Sequence, residues 1–122
     1  MIIVATDAPL DARQLRRLGA RAFLGMARAG STGSNGSGDF AIAFSTTNRI
    51  AFAATRGPAL SLIGDDALSP LFEAVADATE EAIDNALLKA QSVRGRDGHV
   101  AEAIPIERLR ELLSAAARSS SH

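Results

Sequence analysis

Cysteine is missing from the 122 residues, as are tryptophan and tyrosine. With no thiol the chain has no disulfide framework, no thiolate zinc site and no cysteine nucleophile. Imidazole is nearly absent too: only His99 and His122 carry it. A histidine-built metal site within this chain is therefore not expected, and no metal or other cofactor is implied. Charge of one sign is also lacking. The formal net charge is −1, which gives no basis for a nucleic-acid surface. No apolar run approaches the roughly 18 residues of a membrane helix, so no membrane partner is expected. The first residues carry no basic segment ahead of their apolar run and do not read as a signal peptide. Localisation stays open between cytoplasm and periplasm.

What remains is a globular composition, 47% hydrophobic and 22% charged, of single-domain length. Bulk is scarce: five Phe are the whole aromatic content, and Ala is the commonest residue. Small side chains contribute little buried area unless surfaces approach closely. The composition therefore hints that this chain packs against something larger.

Residues 2–6, Ile-Ile-Val-Ala-Thr, form a β-branched run without alternation, which suits a strand covered on both faces. A buried strand at once after the first residue suits a chain end held inside a structure. Pro9 breaks it. Residues 11–28 read as a helix capped by Asp11, with Leu15, Leu18, Ala22 and Met26 on one face. Arg13, Arg17, Arg21 and Arg28 line another face. The plain reading of that stripe is a solvated face with stems lying on the protein, and an anion site is the alternative.

Residues 30–39 hold four glycines and three serines, so neither a helix nor an ordinary strand is expected there. A sharp alternation follows in Phe40-Ala41-Ile42-Ala43-Phe44-Ser45, with a bulky face expected in the core and a flat face open to a closely packed helix. Arg49–Thr55 alternates as well, and the two runs read as a β-hairpin. Residues 56–68, with Gly57-Pro58, read as loop. Ser69-Pro70 opens a helix to about Gln91 with Ser69 as N-cap. Its face of Phe72, Val75, Ala82, Ala86 and Ala90 is small, and Glu73, Asp77, Glu80 and Asp84 form a solvent-facing acidic stripe. Residues 94–98 read as loop. A last helix opens at Pro105 with Ile106, Leu109, Leu112 and Leu113 turned inward, and residues 118–122 read as a frayed tail.

Only the stretch from Gly30 to Asp39 suggests chemistry. Ser37 and Asp39 are separated by a single glycine at a loop-to-strand junction, so an Asp carboxylate could orient a Ser hydroxyl. Backbone N–H groups of the Gly36–Gly38 loop could stabilise an oxyanion. The competing reading is a structural turn with a serine cap. His99, in a polar loop, reads as a surface or capping residue. A hydrolase without histidine needs another base, and an N-terminal α-amine, with a pKa of roughly 7.7–8.0, suits that task.

The segments from Ile2 to Leu10 (Ile-Ile-Val-Ala-Thr-Asp-Ala-Pro-Leu) and from Gly36 to Thr46 (Gly-Ser-Gly-Asp-Phe-Ala-Ile-Ala-Phe-Ser-Thr) resemble a known family. It is the self-cleaving serine peptidases that include the L-aminopeptidase D-amidase/D-esterases and the β-peptidyl aminopeptidases. The resemblance runs along essentially the whole chain, residues 1–122, and matches the smaller, C-terminal β chain. It implies a layered α-β-β-α sandwich resembling N-terminal-nucleophile hydrolases, to which this chain contributes strands and about three helices. It also implies a precursor that cuts itself, an α chain of the same precursor as partner, and homo-oligomers of αβ units. The implied activity removes N-terminal residues from small peptides, amides or esters, without metal. Ser37 matches a second active-site serine, and Asp39 an acidic position that holds the nucleophile and its amine in a hydrogen-bonded cluster.

One position departs from the pattern. The family's nucleophile stands at the head of the first strand, whereas this sequence begins with Met1 and has no Ser or Thr before Thr6. The resemblance thus implies a nucleophilic Ser just ahead of Met1, and this chain alone is expected to be inactive. Two alternatives are kept. One is a relative resembling ornithine acetyltransferases or nylon-oligomer hydrolases, with a Thr nucleophile. The other is a noncatalytic, standalone α/β module.

Overall fold

The structure is a computed structural model that describes residues 1–57 and 59–119. It divides into two units, Met1–Ala82 and Ile83–His122.

In the first unit, strand β1 (Ile2–Thr6) is followed by helix α1 (Ala12–Arg28) and strand β2 (Ala41–Ser45). β1 and β2 pair in parallel, with Ile2 opposite Ala41 and Thr6 opposite Ser45. Parallel neighbours need a crossover, and α1 supplies it. Asp11 caps α1: its carboxylate accepts from Gln14 N at 2.7 Å, and Gln14 Oε1 accepts from Asp11 N at 3.2 Å. This reciprocal pair satisfies two donors at the helix start.

The flat face of β2 meets α1 as its small residues allow. A Cβ at Gly19 would sit 3.6 Å from the Ala43 Cβ, so helix and strand touch with almost no side chain between them. The core lies beneath, built from Val4, Leu10, Leu18, Ala22, Leu68 and Val75. Leu68 belongs to a short 3-10 turn, Asp65–Leu68, that runs directly into helix α2 (Ser69–Leu88). α2 crosses α1 at Gly25, where a Cβ would fall 2.2 Å from the Ala76 carbonyl oxygen. Only glycine permits that approach.

Polar side chains tie these elements together. Gln14 is buried and donates to Ile63 O at 2.9 Å and to Asp65 Oδ1 at 3.0 Å. Arg13 grips Asp65 through two nitrogens at 2.8 and 2.9 Å, and Arg17 adds a third contact at 3.0 Å. Arg21 lies 4.2 Å above the Phe72 ring, a cation–π contact. Arg28 pairs with Asp77 at 2.5 Å and stands 3.7 Å from Glu80. The arginine stripe is therefore a row of partners for the Asp65 turn and α2 rather than a merely solvated face. By the same contacts, Asp77 and Glu80 are paired with Arg28 and not simply turned to solvent.

The second unit begins within α2. It holds a minimal antiparallel pair, β3 (Val93–Arg94) and β4 (Val100–Ala101), joined through a turn at Arg96–Gly98, and then helix α3 (Ile106–Ser119).

Several expectations are corrected. β1 is covered on one face only: Val4 is buried, while Ile3 is 60% exposed. The bulky face of β2 is also open, with Phe40, Ile42 and Phe44 at 67, 54 and 44%. Residues 49–55 form no strand, and the hairpin gives way to turns such as Ala54 N to Ala51 O at 3.0 Å. Alternation makes a strand only where a face has something to cover, and here Ile50 and Phe52 are both exposed. Ser69 is helical, not a cap, because the 3-10 turn precedes it. α2 ends at Leu88, and its buried residues are Val75, Ala76 and Thr79, with Ala82 and Ala86 exposed, as is Ala90 beyond its end. The loop reading of residues 94–98 missed the β3–β4 pair. Leu112 and Leu113 are exposed rather than packed. α3 continues through Arg118 and Ser119, which were read as tail. Pro58 and the last three tail positions lie outside the described residues.

Candidate active site

The loop of residues 30–39 delivers its final residues to the head of β2. Gly36 has a φ of 95°, a conformation that favours glycine. Beside it, Ser37 N donates to Ser34 O at 2.9 Å and closes a turn. Gly38 has no comparable backbone demand, and a Cβ there would meet nothing within 4 Å. Among the described residues nothing requires glycine at 38, and the open space leaves the backbone approachable.

Ser37 and Asp39 are brought together as their spacing suggested. The Ser37 hydroxyl donates to Asp39 Oδ2, and both side chains are exposed. With its proton committed to the carboxylate, the Ser37 oxygen keeps its lone pairs for an N–H or O–H donor arriving from outside. The pair carries the negative charge needed to hold an ammonium group nearby.

The parallel register decides what lies next to it. Ile2 N donates to Phe40 O at 2.8 Å. The head of β1 and the Ser37–Asp39 pair therefore share one end of the two-stranded sheet. Continuing the register brings Met1 opposite Phe40.

The opposite end carries residues that the sequence reading left as a strand end and a turn. Ser45 Oγ donates to Ala8 O at 2.7 Å, Thr46 N donates to Thr6 O at 2.9 Å, and Thr47 Oγ1 donates to Asp7 O. Thr6 Oγ1 accepts from Ala8 N at 3.1 Å. Three consecutive hydroxyl residues directly after an alternating run were the signal that could have exposed this clamp. Thr6 lies at this end, away from Ser37 and Asp39. His99 belongs to the second unit and is exposed, its carbonyl accepting from Gly95 N at 2.7 Å. Among the described residues no helix is long and apolar enough to cross a membrane.

Comparison with known proteins gives these features a setting. The family model of peptidase family S58 matches residues 1–101. A β-peptidyl aminopeptidase, BapA, of Sphingosinicella microcystinivorans is 41% identical over 114 residues, covering 93% of this chain and 29% of that protein. Among solved structures, the PH0078 protein of Pyrococcus horikoshii superposes with a TM-score of 0.86 at 48% identity, covering 93% of this chain and 32% of that one. The L-aminopeptidase D-Ala-esterase/amidase of Ochrobactrum anthropi, described as a prototype serine aminopeptidase and a new variant of the Ntn hydrolase fold, superposes with a TM-score of 0.81. It is 36% identical, with 95% of this chain and 34% of that chain covered. This chain thus has the α/β fold of an Ntn hydrolase segment and spans about a third of the length of the proteins it matches.

Proposed function

The chain belongs to peptidase family S58, and from that membership we propose that it is the C-terminal, β-chain portion of a self-processed serine aminopeptidase or amidase. The partner is the α chain of the same precursor, and αβ units assemble into a homo-oligomer. The substrates are small peptides, amides or esters that lose an N-terminal residue.

One observation carries the reading. The parallel register sets the head of β1 beside the hydrogen-bonded Ser37 and Asp39. A Ser directly ahead of Met1 would come level with Asp39 on the same strand line. Its hydroxyl oxygen attacks the substrate carbonyl carbon, and its own α-amine takes the proton. The amide C–N bond then breaks as the α-amine returns that proton to the leaving nitrogen. Water, deprotonated by the same amine, attacks the resulting ester and restores the Ser. Ser37 and Asp39 hold the α-amine in position. The backbone N–H of Gly38 is offered to the developing oxyanion, that of Ser37 being taken by Ser34 O.

The α chain is supported by what this chain leaves uncovered. Ile3, Phe40, Ile42 and Phe44 make one continuous apolar sheet face, of a kind rarely left to water. A groove of about 430 Å³ beside β2, lined by Leu15, Gly19, Phe23, Ala41 and Ala43, adds further apolar surface.

The test is to express the chain with its upstream coding segment and follow hydrolysis of aminoacyl p-nitroanilides. Two products are expected, the shorter beginning with Ser, together with activity. Correctly cut, assembled material without activity would reject the proposal. A new terminus beginning with Thr would instead favour the ornithine-acetyltransferase or oligoamide-hydrolase relatives.

A further inference from the structure

We infer that Ser45 and Thr47 are positioning residues that set the nucleophile's depth by locking β1 along its own axis against β2. The inference rests on the function proposed above, since it concerns the residue at the head of β1.

The face pattern alone leaves one freedom in the pairing. A slip of one residue would turn Val4 out of the core, and burial opposes it. A slip of two residues keeps every side chain on its own face. Along the helix-facing side of β2 such a slip exchanges Ala41, Ala43 and Ser45 for one another, all of them small. Packing distinguishes these registers weakly, yet each step of two would carry the head of β1 about 6.6 Å past Ser37 and Asp39. That displacement exceeds the hydrogen-bond reach on which a base and its nucleophile depend.

The clamp at the far end removes the freedom. Ser45, Thr46 and Thr47 each address a different carbonyl, those of Ala8, Thr6 and Asp7. β1 ends at Thr6, so the carbonyls of Asp7 and Ala8 lie beyond the ladder and take side-chain hydroxyls instead. Two hydroxyls and one backbone N–H set against three successive carbonyls are all satisfied in only one register. Ser45 follows Asp39 by six residues, roughly 20 Å in an extended strand, so neither Ser45 nor Thr47 touches substrate.

The experiment uses the full precursor with Ser45→Ala/Thr47→Val, and separately the exposed single change Thr47→Val in case the double variant fails to fold. Precursor cleavage rate, kcat and KM on an aminoacyl p-nitroanilide, and melting temperature are measured for each. The expected result is a fall of at least about tenfold in kcat and cleavage rate for the double variant and a smaller fall for Thr47→Val. KM should stay within about twofold, and Thr47→Ser should restore kcat. A folded variant with wild-type kcat and cleavage rate would overturn the inference while leaving the proposed function standing. A wild-type precursor that neither cuts itself nor hydrolyses substrate would overturn the function, and the positioning role with it.

Discussion

The bond between Ser37 and Asp39 stands beside the head of a strand. In the assembled enzyme proposed above, Ser37→Ala and Asp39→Asn should each lower kcat by about a hundredfold. Asp39→Glu, which keeps the carboxylate, should retain much of the activity. Steady-state kinetics on a chromogenic aminoacyl amide checks both. Asp65 is the second residue whose chemistry reaches beyond itself. Hydrogen bonds from Arg13 and Gln14, with the charges of Arg13 and Arg17, hold its carboxyl well below the usual carboxylate range. Its proton is therefore bound more weakly in the folded chain than in the unfolded one. The stability this supplies is complete above about pH 4, the ordinary value, and is lost as the pH falls through the lower folded value. The group is half exposed, so the effect is modest and salt-sensitive. The melting-temperature gap between wild type and Asp65→Asn should be level from pH 7 down to about pH 4 and shrink below it, toward pH 2.

Two glycines of α1 separate close contact from necessary contact. Gly25→Ala would drive a methyl group into the Ala76 backbone, which cannot swing aside as a flexible side chain can. A loss of about 1–3 kcal/mol is expected. Gly19→Ala meets the Ala43 Cβ at an ordinary 3.6 Å, so the helix propensity gained should leave it neutral or stabilising by about 0.5 kcal/mol. Urea titrations of the two variants should part in opposite directions. Elements whose signals are local were legible in advance: the Asp11 cap, the flat face of β2 and the glycine loop with its serine and aspartate. Elements decided by partners distant in sequence were not. Arg13 and Arg17 meet Asp65 across about fifty positions, and no spacing rule joins them. The alternation at Ile50, Phe52 and Ala54 resembled a strand, but pairing needs an edge that sequence alone does not supply. The hydroxyl triplet at Ser45–Thr47 looked like an ordinary turn because its carbonyl partners lie some forty residues earlier.

For the molecule as a whole, the open sheet face makes a prediction about isolation. Expressed alone, the chain should bind a hydrophobic dye and self-associate as concentration rises. Co-expression with the upstream portion should suppress both, as dye titration and sedimentation would reveal. A dye-silent monomer would favour the standalone module instead. The parallel pairing of β1 with β2 carries a consequence in time as well. The strand at the chain's head meets its neighbour only after roughly forty further residues have been polymerised and α1 has folded back, a few seconds at ordinary translation speed. Until then the head of β1 has neither serine nor carboxylate beside it. In the self-processing precursor proposed above, scission at that point would be deferred until β2 has been made and has paired.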